Sequence, residues 1–459
     1  MGKEDLTETI AAISTPIGEG GIGIVRISGR EALMIADKIF VSSRGKPSGF
    51  STYTIHYGKI VESLKVVDEV ILTVMRAPKT YTKEDVVEIN CHGGIVALRD
   101  VLDLVLKNGA RLAHPGEFTK RAFLNGRIDL AQAEAVIDII RAKTDSALRL
   151  GLSQLKGGLS KEINKFRESI LDILVQLEAS IDFPEEEAHK LELKKLSVKI
   201  EEINANFKNL IESSRPARVL REGIHLVICG KPNAGKSSLL NTLLKEERAI
   251  VTPLAGTTRD TIEEIIDIKG IPVRIVDTAG IIEPRDLVEK KALMRSKEEI
   301  ELADLVIVVF DGSKKLSNED LLLIKRLKSK TVIPVINKID LKQRIDRKKL
   351  ALEFKQLVDI SAKKSRNIAM LEKAIADLIY RGGILNPESI MVSNLRHIQL
   401  VRKAQKNIAQ AGESLDNELP FEFVAQDLRE ALGFLDEVLG KRFSADLLDK
   451  IFSEFCIGK

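Results

Sequence analysis

The stretch LVICGKPNAGKSSLLNTLL, Leu226 to Leu244, constrains the fold of this chain more than any other. An apolar run, a glycine-rich loop and a helix-forming segment follow one another, and Gly230 to Ser237 reads Gly-x-x-x-x-Gly-Lys-Ser. Loop amides followed by a helix N-terminus form an anion nest, in which Lys236 reaches the outer phosphates of a nucleotide and Ser237 ligates Mg2+. Such a loop needs a strand before it and a helix after it. Around it the runs IHLVICG, VRIVDTAG, DLVIVVFDG and TVIPVINKID alternate with helical stretches. That alternation predicts a mostly parallel sheet with helices on both faces, an α/β module over residues 222–381.

Three further motifs follow in order. VDTAG places Asp277 at a strand end, where it can hold the Mg2+ shell; Thr278 and Ala279 follow, and the Gly280 amide faces the γ-phosphate. NKID brings Asn337, Lys338 and Asp340 to the end of a later strand. Asp340 can accept the paired N–H groups of guanine, which adenine lacks, and unmade buried bonds reject the wrong base. Ser361, Ala362 and Lys363 form a base-cradling loop. With Asn233, Ala234, Gly235, Ser238 and the segment TPLAGTTRD, which supplies Thr252, Gly256, Thr257 and Thr258, these residues predict a site for GTP and Mg2+, with Thr258 as the second protein ligand of the metal. The chemistry departs from small signalling GTPases at Ile281, where those proteins carry a water-orienting Gln. Phosphoryl transfer also needs positive charge between the β- and γ-phosphates, beyond that of Lys236. The Asn233 side-chain carbonyl, with the carbonyls of Thr252, Leu254 and Thr257, can hold a monovalent cation there; alternatively Asn233 only stabilises its loop.

The other regions differ in period. From Ile10 to about Ala110, short apolar runs punctuated by Gly, Pro and Ser (GIGIVRISG, YTIHYGKI, DEVILTVMRAP, DVVEINCHGG) surround two helical stretches, which predicts a small α+β domain over 1–125. Over 126–221 the period becomes helical, with Ile163, Phe166, Ile170, Ile173, Leu174, Leu177 and Ile181 on one stripe. Helices return over 382–459, with stripes at Leu395, Ile398, Val401, Ala404 and Ile408 and at Val424, Leu428, Leu432 and Leu435. Each flank is short for a fold of its own, so the reading is one all-helical domain with the α/β module inserted.

Composition excludes several classes. The 459 residues are 44% hydrophobic and 30% charged, and 71 basic residues against 67 acidic ones leave a net charge of only +4, so charge alone does not demand nucleic acid. The cysteines Cys91, Cys229 and Cys456 are far apart and form no CxxC pair, which fits a reducing cytosol. No run reaches the roughly 18 apolar residues of a membrane span, and the terminal Cys456-Ile457-Gly458-Lys459 ends in a residue foreign to prenylation boxes. A cytoplasmic protein without a membrane partner is expected.

The segments GEGGIGIVRISG, GEFTKRAFLNGRIDLAQAEA, IDFPEEE, GKPNAGKSSLLN, IVTPLAGTTRD and FCIGK together resemble the MnmE (TrmE) family of tRNA modification GTPases, end to end. The resemblance implies an N-terminal domain that dimerises and binds 5-formyl- or 5,10-methylene-tetrahydrofolate. It implies a homodimer working with the flavoprotein MnmG to place an aminomethyl-type group on carbon 5 of the wobble uridine of certain tRNAs. It implies K+-dependent hydrolysis through Asn233, with water oriented by Glu289, and folate contacts from Arg26, Glu88, Arg127 and Lys459. Chemically this set is apt: a carboxylate grips the amidine edge of a pterin, and Arg or Lys suits the carboxylates of the tail. Arg127 stands where some relatives have Lys. If Lys459 reaches the folate site, Phe452 and Phe455 anchor the tail, Gly458 passes close to another backbone, and Cys456 offers either a thiol near the one-carbon unit or a small apolar filler. The alternative reading of the whole chain is a GTP-switched ribosome-assembly factor, which would bind no reduced folate.

Overall fold

The computed structural model describes residues 7–182, 189–246, 264–277, 298–380 and 391–459. They form two compact units, Met1–Ile137 with Leu432–Lys459, and Asp138–Ala431.

The first unit is built on seven strands: β1 (Ile10–Ile13), β2 (Gly23–Ser28), β3 (Phe40–Val41), β4 (Thr54–Glu62), β5 (Lys65–Met75), β6 (Val86–Cys91) and β7 (Arg111–Leu112). Their order is β3-β4-β5-β6-β2-β1-β7, antiparallel except for the β1–β7 pair. Side chains alternate between faces along each strand. Ala11, Val25, Ile27, Val87 and Ile89 therefore share a core with the helices Ala32–Ile39 and Ile95–Lys107, while Ile10 and Ala12 turn to the opposite face with Phe118 and Ala113. The C-terminal helix Ala445–Ser453 starts at Ser444, whose hydroxyl accepts the Leu447 N–H, and buries Leu448 and Phe452, with Phe455 just beyond, against Ala122, Phe123 and Ile128. Those two phenylalanines are the anchors expected from the sequence.

The second unit carries strands β8 (Ile224–Gly230), β9 (Glu264–Ile268), β10 (Ile271–Asp277), β11 (Leu305–Asp311), β12 (Val332–Asn337) and β13 (Val358–Asp359), in the order β13-β12-β11-β8-β10-β9. All neighbours are parallel except β9, which runs antiparallel to β10. Both faces are covered, as the near-continuous apolar strands require. Leu226 and Ile228 pack with Leu239, Leu371 and Ile375 on one side, and Val227, Val306 and Phe310 with Ile324, Leu327 and Leu350 on the other. In the helical part, Ile163, Phe166, Ile170, Ile173, Leu174 and Leu177 are buried as their spacing predicts. Helices His189–Glu212 and Leu395–Asp416 lie side by side, joined by Gln405 Nε2 to Asn204 Oδ1 at 2.7 Å. Leu395 departs from its predicted stripe: it opens its helix and is exposed, whereas Ile398, Val401, Ala404 and Ile408 are buried. Among the described residues no helix is long and apolar enough to cross a membrane.

Candidate functional site: a nucleotide cradle and a tail-bound sheet face

In the second unit β8 ends at Gly230, the loop turns through Asn233 at φ 61° and Gly235 at φ 102°, and helix Lys236–Glu246 begins. Gly235 is required by space as well as by φ, because a Cβ there would fall 2.1 Å from Asn337 Nδ2. Lys236, 8% exposed, folds back so that Nζ donates to the carbonyls of Gly230 and Lys231, both at 3.0 Å. Ser237 and Ser238 stand exposed in the first helical turn, where a hydroxyl is free to meet a hard cation.

The later motifs converge on this loop through Asn337. Its Nδ2 donates to Ala234 O at 2.9 Å, and its Oδ1 accepts from Lys338 N at 2.8 Å and Ala362 N at 3.0 Å. One buried amide thus ties the phosphate loop to two loops that lie more than a hundred residues further along the sequence. Thr242, on the helix after the loop, adds a bond from its hydroxyl to Ala362 O at 2.9 Å. Asp340 accepts from Ser361 Oγ at 2.6 Å, and that bond lowers its pKa, leaving an aimed carboxylate at neutral pH. Lys363 is exposed on the neighbouring turn. Asp277 closes β10 beside Ile228 of β8, so the end of that strand reaches the same edge of the sheet. Thr252, Leu254, Gly256, Thr257, Thr258, Thr278, Ala279, Gly280, Ile281 and Glu289 lie outside the described residues. Cys229 is buried under the loop, and burial pushes its thiol up to about 12, which makes it inert packing.

In the first unit, register brings Arg26 of β2 opposite Glu88 of β6, both on the face away from the two helices. Arg26 Nε binds Glu88 Oε1 at 2.8 Å, its Nη1 donates to Gly458 O at 3.1 Å, and its guanidinium lies 5.6 Å from the Phe118 ring centroid. Ser14 Oγ donates to the same Gly458 carbonyl at 3.2 Å. The tail is thus threaded along β1: Gly458 has φ 92°, and a Cβ would fall 2.3 Å from Ile13 O. Lys459 follows, half-buried, its N–H donating to Cys456 O at 3.3 Å. Arg127 sits 4.8 Å over the Tyr81 ring, and Tyr81 packs against the small cluster that includes Phe118. Burial raises the Tyr81 pKa against the opposing pull of its bond with Thr119 and of Arg127 and Arg26, so it stays a neutral phenol. Arg26, Glu88, Arg127 and Lys459 are therefore linked by Phe118, Tyr81 and Gly458. Cys456 is exposed, so it fills no apolar gap; the burial expected there belongs to Phe455.

Phe118, Tyr81, Ser14 and, in the second unit, Asp311 are contributors that sequence reasoning missed. Of these only Asp311 carried a signal, an acidic residue ending a buried strand before Gly312-Ser313.

Two family models match the chain: the MnmE helical domain over residues 130–456 and the GTP-binding protein TrmE N-terminus over residues 9–127. The chain is 48% identical over 457 residues to the tRNA modification GTPase MnmE of Clostridioides difficile (strain 630), covering 99% of this chain and 100% of that one. It is 46% identical over 458 residues to the protein of that name from Bacillus subtilis (strain 168), covering 98% and 100%. A solved structure of a variant of Aquifex aeolicus Era bound to GDP.AlF4- is 29% identical over 40% of this chain and 66% of that one, at a TM-score of 0.29.

Proposed function

This chain belongs to the MnmE (TrmE) family of tRNA modification GTPases, and from that premise we propose that it hydrolyses GTP and, as a homodimer with the flavoprotein MnmG, modifies carbon 5 of the tRNA wobble uridine using a reduced folate. The observation that carries the GTPase half is the Asn337 amide, which joins the phosphate loop to the base-reading loops while Ser361 aims Asp340. Lys236 would hold the β- and γ-phosphates and Asp340 the guanine edge. Ser237 and Thr258 would hold Mg2+, which supplies charge for the developing leaving group. Asn233 fits a cation ligand: its side chain is exposed at the lip of the loop and its backbone is fixed in the left-handed region. With the carbonyls of Thr252, Leu254 and Thr257 it would hold K+, and Glu289 would orient water.

The folate half is supported by the sheet face of the first unit. Glu88, an acceptor already aligned by Arg26, suits the amidine edge of a pterin. Arg127 and Lys459 would meet the glutamate carboxylates.

Nucleoside analysis of tRNA from cells lacking this protein is expected to show loss of the C5-aminomethyl family at the wobble uridine; an unchanged profile sinks the modification role. The cation reading has its own test. At fixed ionic strength, GTP hydrolysis is expected to run on the order of tenfold or more faster in K+ than in Na+. Glu289→Ala should remove that rate while GTP affinity stays, the signature of a group acting only in the transition state. Equal rates in the two salts would remove the cation site.

A further inference from the structure

Asp311 ends β11 directly opposite Asn337, the last residue of β12. Its side chain is only 10% exposed, and protein donors engage both oxygens: Oδ1 accepts from Ser313 N at 3.0 Å and Ser313 Oγ at 2.6 Å, and Oδ2 accepts from Lys338 Nζ at 2.7 Å. The same ammonium donates to Asn233 O at 2.6 Å. A chain of charge-assisted bonds thus runs from the end of β11, through the base-reading loop, to the lip of the phosphate loop.

The two residues it joins share a conformational peculiarity. Lys338 has φ 64° and Asn233 φ 61°, the left-handed region, which asparagine enters readily but lysine seldom does without surroundings that impose it. Lys338 therefore needs a local restraint, and the left-handed turn at Asn233 is one the surroundings can stabilise or release. Asn337 Oδ1 restrains Lys338 through its N–H, but Asn233 O is held by the Lys338 ammonium. That ammonium in turn sits at the end of a flexible four-carbon stem, which only a fixed counter-charge can keep in one place.

We propose that Asp311 is a positioning residue for guanine-nucleotide binding: by fixing Lys338 Nζ against Asn233 O it locks the base-reading loop to the phosphate loop and holds Asn233 in its left-handed conformation. The inference rests on the reading of these loops as the nucleotide site. Burial alone would raise the Asp311 pKa, yet the bonds from Lys338 and Ser313 hold its carboxyl below the usual range, so the counter-charge is present at neutral pH. Without it, Lys338 keeps a single neutral acceptor and the two loops are free to part, which acts first on how long a nucleotide stays.

The test is dissociation of a fluorescent N-methylanthraniloyl GDP from the full-length chain, followed by stopped flow, for wild type, Asp311→Asn, Lys338→Met and the double variant. Asp311→Asn preserves size and the acceptor for Ser313. It is expected to accelerate dissociation about ten- to hundredfold, with a melting temperature close to that of wild type and the preference for GDP over XDP intact. Because Asp311 acts through Lys338, the double variant should dissociate no faster than Lys338→Met alone. Dissociation of Asp311→Asn at the wild-type rate, or effects that multiply in the double variant, would overturn the inference while leaving the nucleotide site standing. A wild-type chain that does not bind the probe would overturn the site and this inference with it. Should Asp311→Asn melt early, Asp311→Glu, which keeps the charge, must restore slow dissociation for the inference to survive.

Discussion

Deleting Ile457 to Lys459 abolishes binding of reduced folate and leaves GTP hydrolysis intact: this is the expected result of calorimetric titration with 5-formyl-tetrahydrofolate beside a GTPase assay. The deletion ends the chain at Cys456, so helix Ala445–Ser453 and the buried Phe452 and Phe455 remain and the domain keeps its anchor. What disappears is the Gly458 carbonyl, the shared acceptor for Arg26 Nη1 and Ser14 Oγ, together with Lys459. Arg26 then keeps only Glu88, and its guanidinium is free to leave the plane over Phe118. Losing one charge-assisted bond that aligns the proposed site, together with the cation proposed to meet the ligand's carboxylates, should lower affinity on the order of a hundredfold or more. Gly458→Val reaches the same outcome differently. It keeps every other residue, but its Cβ would press on Ile13 O in a conformation hostile to β-branched side chains, lifting the tail off β1. Normal folate binding by the deletion would place the ligand elsewhere on the unit.

The tail also shows where sequence reading stops. Its anchors, Phe452 and Phe455, and its glycine were legible as residue types, but the strand they run along is not. Ser14 and Gly458 are 444 positions apart, and no periodicity records such a contact. Local patterns were legible wherever one face of an element is buried. The stripe from Ile163 to Leu177 and the strands β2, β4, β5 and β6 follow from periods of 3.6 or 2, and the parallel pairing of β8, β10, β11 and β12, though not their order in the sheet, follows from the alternation of apolar runs with helical stretches. The short antiparallel β9 was not among them, because an edge strand repeats no motif and is defined only by its partner β10. In the nucleotide site the motifs announced the described loops at Gly230, Asn337 and Ser361, yet not how they interlock. Asn337 reads as a base-contacting residue, but its Oδ1 and one hydrogen of its Nδ2 are engaged by backbone groups. Arg26 and Glu88 pair because β2 and β6 happen to be in that register, 62 residues apart.

Asp340→Asn is expected to turn the chain from a guanine to a xanthine nucleotide binder. Asp340 offers two oxygens; Oδ1 accepts from Ser361 Oγ at 2.6 Å, which leaves the other for the base. In Asn the amide oxygen can keep the Ser361 bond, so the NH2 group takes the outward position. A donor there meets the N–H groups of guanine, and a buried mismatch of two donors costs far more than the absence of a bond. Xanthine carries a carbonyl where guanine has its exocyclic amine, so the same NH2 finds an acceptor. The remainder of the cradle is untouched, because the bonds of Asn337 to Ala234 and Ala362 do not involve Asp340. Competition between GTP and XTP for the full-length chain should therefore invert, with GTP affinity falling by about 10²- to 10⁴-fold and XTP affinity rising. At the level of hydrolysis, the variant supplied with XTP should recover a rate near that of wild type with GTP, since the phosphate loop and its lysine are unchanged. A variant that still prefers GTP would mean that Asp340 does not read the base, and that Ser361 and Asp340 only brace each other.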